Sequence, residues 1–196
     1  MIHPSVRVVR LLFFFSVILF FITLGWGVWS VLIVSDHQKT PGRILADESF
    51  EKVLDSGKRF VDLRKFDLAV PYLKAAVAKN TDHDEAQTLL AVCYYNLREY
   101  QKARAIYEKL LSKSPNQASL MNVLGNTIRD MGDISSAETQ YRNAIAADPE
   151  FIVAYSNLAY LLRNAGKLDE ARSVISQGLI KNPQNEALEN VKKILQ

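Results

Sequence analysis

Cysteine is nearly absent. Cys93 stands alone in 196 residues, so no intramolecular disulfide can form. It falls on an apolar stretch and reads as a buried structural residue, which leaves the redox compartment open. Histidine is scarce and scattered, at His3, His37 and His83. With a single cysteine, these give no zinc-ligand spacing. His83, between Asp82 and Asp84, reads as a surface residue. No glycine-rich phosphate loop and no GxSxG nucleophile elbow occur. Asp169 and Glu170 flank Ala171 and fit a helix start better than an acid–base pair. No catalytic residue, metal or cofactor is expected, and the chain is not expected to be an enzyme. The formal net charge is only +3, which argues against the strong basic patch of a nucleic-acid binder.

Charge is missing altogether from residues 11–34, a predominantly apolar run. As a helix, such a run spans roughly 36 Å, enough to cross a bilayer's hydrocarbon core. It is longer than the apolar region of a cleavable signal peptide, and Val34-Ser35-Asp36-His37 is a poor cleavage site. A retained, single-pass transmembrane signal-anchor is therefore expected, with Trp26 and Trp29 near its far end. Gly25 and Gly27 lack the spacing of a helix-pairing motif. Residues 1–10 form a basic N-terminal tail carrying Arg7 and Arg10, while Lys39, Arg43 and Lys52 lie on the other side. This balance leans towards an N-terminus in the cytoplasm and the rest of the chain outside it. In a bacterium that means an inner-membrane protein facing the periplasm. The reverse topology would make the chain a cytosol-facing receptor for client proteins. Residues 35–49, with Pro41-Gly42, read as a juxtamembrane linker.

Beyond residue 49 the chain repeats itself every 34 residues. Met121, Leu124, Gly125, Ile128, Ala137, Tyr141 and Pro149 overlay on Tyr155, Leu158, Ala159, Leu162, Ala171, Ile175 and Pro183. One period earlier stand Gln87, Leu90, Ala91, Tyr94, Ala103, Tyr107 and Pro115. A period before that come Val53, Ser56, Gly57, Phe60, Ala69 and Leu73, with Thr81 where proline is expected. A fixed period means a stacked supersecondary unit, not a closed globule. Within each unit, apolar residues recur at three- and four-residue steps, as in two amphipathic helices. Small residues at Gly125 and Ala159 let the two helices approach closely. Gly132 and Gly166 end first helices, and Pro115, Pro149 and Pro183 stop second ones. The earliest unit departs most, through Ser56, Thr81 and Pro71, and is expected to be distorted or to serve as a cap.

This pattern resembles the tetratricopeptide repeat (TPR) family. The resemblance covers four repeats, 50–83, 84–117, 118–151 and 152–185. It implies an all-α fold: the N-terminal transmembrane helix, then a right-handed α-solenoid of four TPR helix pairs. Residues 186–196 would form a C-terminal capping helix, with Leu188, Val191, Ile194 and Leu195 on its packing side. The family's functional face is the concave groove lined by the first helix of each repeat. In this chain that implies Thr88, Val92, Tyr95 and Asn96, then Asn122, Asn126, Arg129 and Asp130, then Ser156, Tyr160, Arg163 and Asn164, with Asn157 beside them. The expected partner-binding groove is Tyr95, Asn122, Asn126, Arg129, Asn157, Tyr160 and Arg163. Amides there can pair with a peptide backbone, tyrosines offer flat contact, and arginines suit carboxylates. Asn122 stands where a lysine would be needed to clamp a C-terminal carboxylate, so that arrangement is incomplete. The implied function is a membrane-tethered scaffold or adaptor for a protein segment, assisting assembly or chaperoning of envelope complexes, with self-association as an alternative. Gly125→Leu is expected to break the fold, and Asn126→Ala to spare the fold while weakening partner binding.

Overall fold

The computed structural model describes Leu45 and residues 47–195. The chain divides into two units, Met1–Glu48 and Ser49–Gln196, and every helix below belongs to the second. The expected transmembrane helix, 11–34, lies outside the described residues. Among the described residues, no helix is long and apolar enough to cross a membrane.

Nine helices and no strand are described. They are α1 (Phe50–Asp62), α2 (Phe66–Lys79), α3 (Asp84–Asn96), α4 (Tyr100–Lys113), α5 (Ala118–Asp130), α6 (Ile134–Ala147), α7 (Ile152–Asn164), α8 (Leu168–Lys181) and α9 (Glu186–Ile194). First helices begin 34 residues apart, as do second helices. Each helix packs on the next in chain order, and α9 packs on both α7 and α8, where the first helix of a further repeat would sit.

The boundaries follow from local chemistry. Side chains of Ser49, His83, Asp133 and Asn185 accept a backbone N–H three residues on, satisfying donors that a helix start leaves free. His83 is therefore a half-buried cap rather than a plain surface residue, and its ring packs edge-on against Phe50 at 4.8 Å. All four first helices end alike, with a left-handed residue at Arg64, Arg98, Gly132 and Gly166 (φ 55°, 62°, 93° and 78°). The next residue's N–H reaches back six positions inclusive, as in Lys65 to the Phe60 carbonyl at 2.8 Å and Lys167 to Leu162 at 2.9 Å. This pairing satisfies carbonyls that the helix end would otherwise leave open.

The core is a continuous seam between helices. Ala69, Ala103, Ala137 and Ala171 are each fully buried, because a second helix crosses its first helix there. Tyr141, Leu73, Leu158, Leu162 and Ile175 fill the space around them. Each such large side chain contributes roughly 1.5–3 kcal/mol of burial. Cys93 is also fully buried, and burial pushes its thiol up to about 11.

The earliest repeat corrects one expectation. α2 runs unbroken through Pro71 and has 14 residues, the same length as α4, α6 and α8. Thr81 in place of proline is compensated locally. The buried Gln87 side chain donates to the Thr81 carbonyl, as Tyr155 does to the Pro149 carbonyl two repeats later. The capping helix corrects another. Leu188, Val191 and Leu195 are buried, but Ile194 is 54% exposed and does not join the packing side.

Candidate functional site

First helices of neighbouring repeats pack on one another, α1 on α3, α5 on α7 and α7 on α9. No pair of second helices packs as extensively. The first helices therefore lie on the inner side of the array, and their unburied stripe is the candidate groove.

The middle of that stripe is closed by its own hydrogen bonds. The Tyr95 hydroxyl, on α3, donates to Asp130 Oδ2, on α5, at 2.5 Å. Arg129 Nε donates to the other carboxylate oxygen at 2.8 Å. Burial, then the bond to Asp130, pushes the Tyr95 phenol up to about 12. Burial works against the Asp130 carboxylate, but Arg129 and Tyr95 outweigh it and hold its carboxyl below the usual range. Asn126 Oδ1 accepts from the hydroxyl of the fully buried Tyr141 at 2.7 Å, with Arg129 Nη1 at 3.5 Å.

Asn122 departs from the expected groove lining. It is 4% exposed, and its Oδ1 accepts from Asn157 Nδ2 at 2.9 Å. The pair joins α5 to α7 rather than facing a partner. The reason is steric, since the close packing of these two first helices covers the side chain.

Repeat four is different. Tyr160 and Arg163 are half-buried, and the guanidinium carbon lies 5.4 Å from the Tyr160 ring centroid. Arg163 Nη2 reaches only an amide, Asn164 Oδ1, at 3.4 Å. Among the described residues, Arg163 has no carboxylate within ion-pair distance. Stepping one period on from Val92, Asn126 and Tyr160 leads to Ile194. Its exposure thus continues the lining stripe onto α9. The 34-residue step carried this signal, but the heptad-like spacing within the last helix pointed to packing instead.

Family models described as tetratricopeptide repeat match residues 54–118 and 129–195. The chain belongs to the tetratricopeptide repeat family. Proteins of this family act as protein-interaction scaffolds. The peroxisomal targeting signal receptor of Saccharomyces cerevisiae is 26% identical to this tetratricopeptide array over 125 residues, 64% of this chain and 20% of the receptor. Small glutamine-rich tetratricopeptide repeat-containing protein 2 of Mycosarcoma maydis is 29% identical over 91 residues, 46% of this chain and 26% of that protein. The chain thus spans about a fifth to a quarter of the length of these curated relatives. Among solved structures, MamA superposes with a TM-score of 0.64 at 26% identity, covering 69% of this chain and 80% of that one. TTC0263, a TPR protein of Thermus thermophilus, superposes with a TM-score of 0.60 at 18% identity, covering 75% and 81%, and shows the shared fold.

Proposed function

We propose that this chain is a membrane-tethered adaptor that holds a segment of a protein partner against the inner face of its first helices. The observation that carries the binding role is the stripe from Tyr95 through Tyr160 and Arg163 to Ile194. It sets aromatic, cationic and apolar side chains on one continuous face. Such a mixture suits an extended or helical segment, since tyrosine gives contact area at low entropic cost and arginine pairs with planar acceptors.

The tether rests on the uncharged run 11–34. Anchoring confines array and partner to one surface, raising their effective concentration so that a modest groove affinity suffices. With Arg7 and Arg10 retained inside, the array faces the periplasm of a bacterial inner membrane and assists assembly of envelope complexes. Carbonate extraction of membranes tests the tether. The full chain stays in the pellet, and deletion of residues 11–34 releases it. A compartment-specific reporter fused after Gln196 tests the orientation. Activity only in the cytosol would replace this orientation with a cytosol-facing receptor.

A further inference from the structure

The lining position occupied by Tyr95 in repeat two holds Arg129 in repeat three and Arg163 in repeat four. The residue that follows is Asp130 after Arg129, but Asn164 after Arg163. This single difference changes the electrostatics of the two sites. Asp130 accepts from Arg129 Nε at 2.8 Å and from Tyr95 at 2.5 Å, so the charge of Arg129 is met within the array. Asn164 offers Arg163 a neutral amide at 3.4 Å, and no carboxylate among the described residues takes Asp130's place. On α9 the 34-residue step from Ser156 leads to Asn190, a neutral residue, and the step from Tyr160 leads to Ile194.

One apolar group borders this charge, and a second lies further along the same stripe. Tyr160 lies under the guanidinium, with its centroid 5.4 Å away, which holds the cation over a flat surface. Ile194 stands one period further along the lining and is 54% exposed.

We infer that Arg163, Tyr160 and Ile194 form the specificity subsite of the groove, and that it takes a protein segment carrying a carboxylate side chain beside an apolar one. The carboxylate pairs with Arg163 and the apolar side chain lies against Tyr160 and Ile194. Charge complementarity decides between the two arginines, because a partner carboxylate at Arg129 would have to displace Asp130. At Arg163 it displaces an amide. An arginine half-shielded by an aromatic ring also gives a stronger ion pair than one fully in water. This inference rests on the groove reading above and specifies the chemistry of its occupant.

Selection of a phage-displayed random dodecapeptide library on the purified full chain tests it. Enriched peptides are expected to hold Asp or Glu next to an aliphatic or aromatic residue. Synthetic copies are expected to lose about tenfold or more in affinity with Arg163→Gln, and to change little with Arg129→Gln. Asn164→Asp supplies the carboxylate that repeat three already has, and is expected to weaken the same peptides by a similar factor. All three variants should keep the parent's melting temperature within a few degrees, which separates binding from folding. Acidic peptides that bind Arg163→Gln as well as the parent would overturn the inference. Non-acidic peptides lost on Tyr160→Ala would overturn it while leaving the groove reading standing. Peptides indifferent to both Tyr160→Ala and Arg163→Gln, or no enrichment at all, would overturn both.

Discussion

The Tyr141 ring occupies the space beside Gly125, with its Cε1 2.7 Å from where a Cβ on that glycine would sit and its Cδ1 at 2.9 Å. Tyr141 is fully buried and cannot swing away. Gly125→Ala is therefore expected to cost at least 1–3 kcal/mol, roughly, by overpacking, and Gly125→Leu more. Gly132 is a control of the other kind. A Cβ there meets nothing within 4 Å, and only its φ of 93° penalises a side chain. Gly132→Ala should cost only about 1 kcal/mol. Urea unfolding midpoints of the two alanine variants check the order. Equal midpoints would mean that Tyr141 does not pack on Gly125.

Asn126→Ala separates folding from binding less cleanly than the sequence alone implies. Its Oδ1 accepts the Tyr141 hydroxyl at 2.7 Å. Removing that acceptor leaves a buried donor unmet, at a cost of about 1–3 kcal/mol. Thermal unfolding of Asn126→Ala beside the Asn126→Ala/Tyr141→Phe pair reads this out. The double variant should recover much of the loss.

Alkali should loosen the array between pH 10 and 12. Burial pushes the phenols of Tyr95 and Tyr141 up to about 12. In the unfolded chain they ionise near the usual value of about 10. Their folded pKa values lie above the unfolded ones, so their contribution is complete below pH 10 and is lost as pH rises towards 12. Urea midpoints at pH 8, 10 and 11.5 should fall over the last step, and Tyr95→Phe should flatten part of that fall. Acid acts with the opposite sign. Asp130 and Glu138 are held below the usual carboxylate range, so their contribution is present at neutral pH and lost as pH falls below about 4.

The Cys93 thiol should be silent while the array is folded. It is fully buried and pushed up to about 11, so little thiolate exists at pH 8 and none of it is reachable. Labelling by a thiol reagent should follow unfolding, accelerating with urea in step with loss of helix signal. Rapid stoichiometric labelling in native buffer would contradict the packing of α3.

The repeat was legible because its period is carried by residues that sterics leave little choice about. Ala137 and Ala171 sit at helix crossings, and Gly125 faces an aromatic ring. Second-helix ends were legible from Pro115, Pro149 and Pro183, but first-helix ends only where glycine announces them, at Gly132 and Gly166. Arg64 and Arg98 adopt the same left-handed conformation without that signal, because the two back-bonds at the helix end and close second-helix packing impose it. The groove was less legible still. Helical spacing shows which face a residue takes, but not whether its polar group is already satisfied by a neighbour. Asn122 and Asn157 lie 35 residues apart and satisfy each other, as do Tyr95 and Asp130. Such pairs emerge only when first helices are placed side by side.

The groove is tested most directly by photo-crosslinking in cells, with a benzophenone amino acid replacing either Ser156 or Ser176. Ser156 lies on α7, one turn before Tyr160 on the inner face, and Ser176 is exposed on α8. One discrete protein is expected to be captured from Ser156 and none from Ser176, and the Ser156 band should be lost when Tyr160→Ala is added. Capture from Ser176 in place of Ser156, or a Ser156 product untouched by Tyr160→Ala, would contradict the groove assignment.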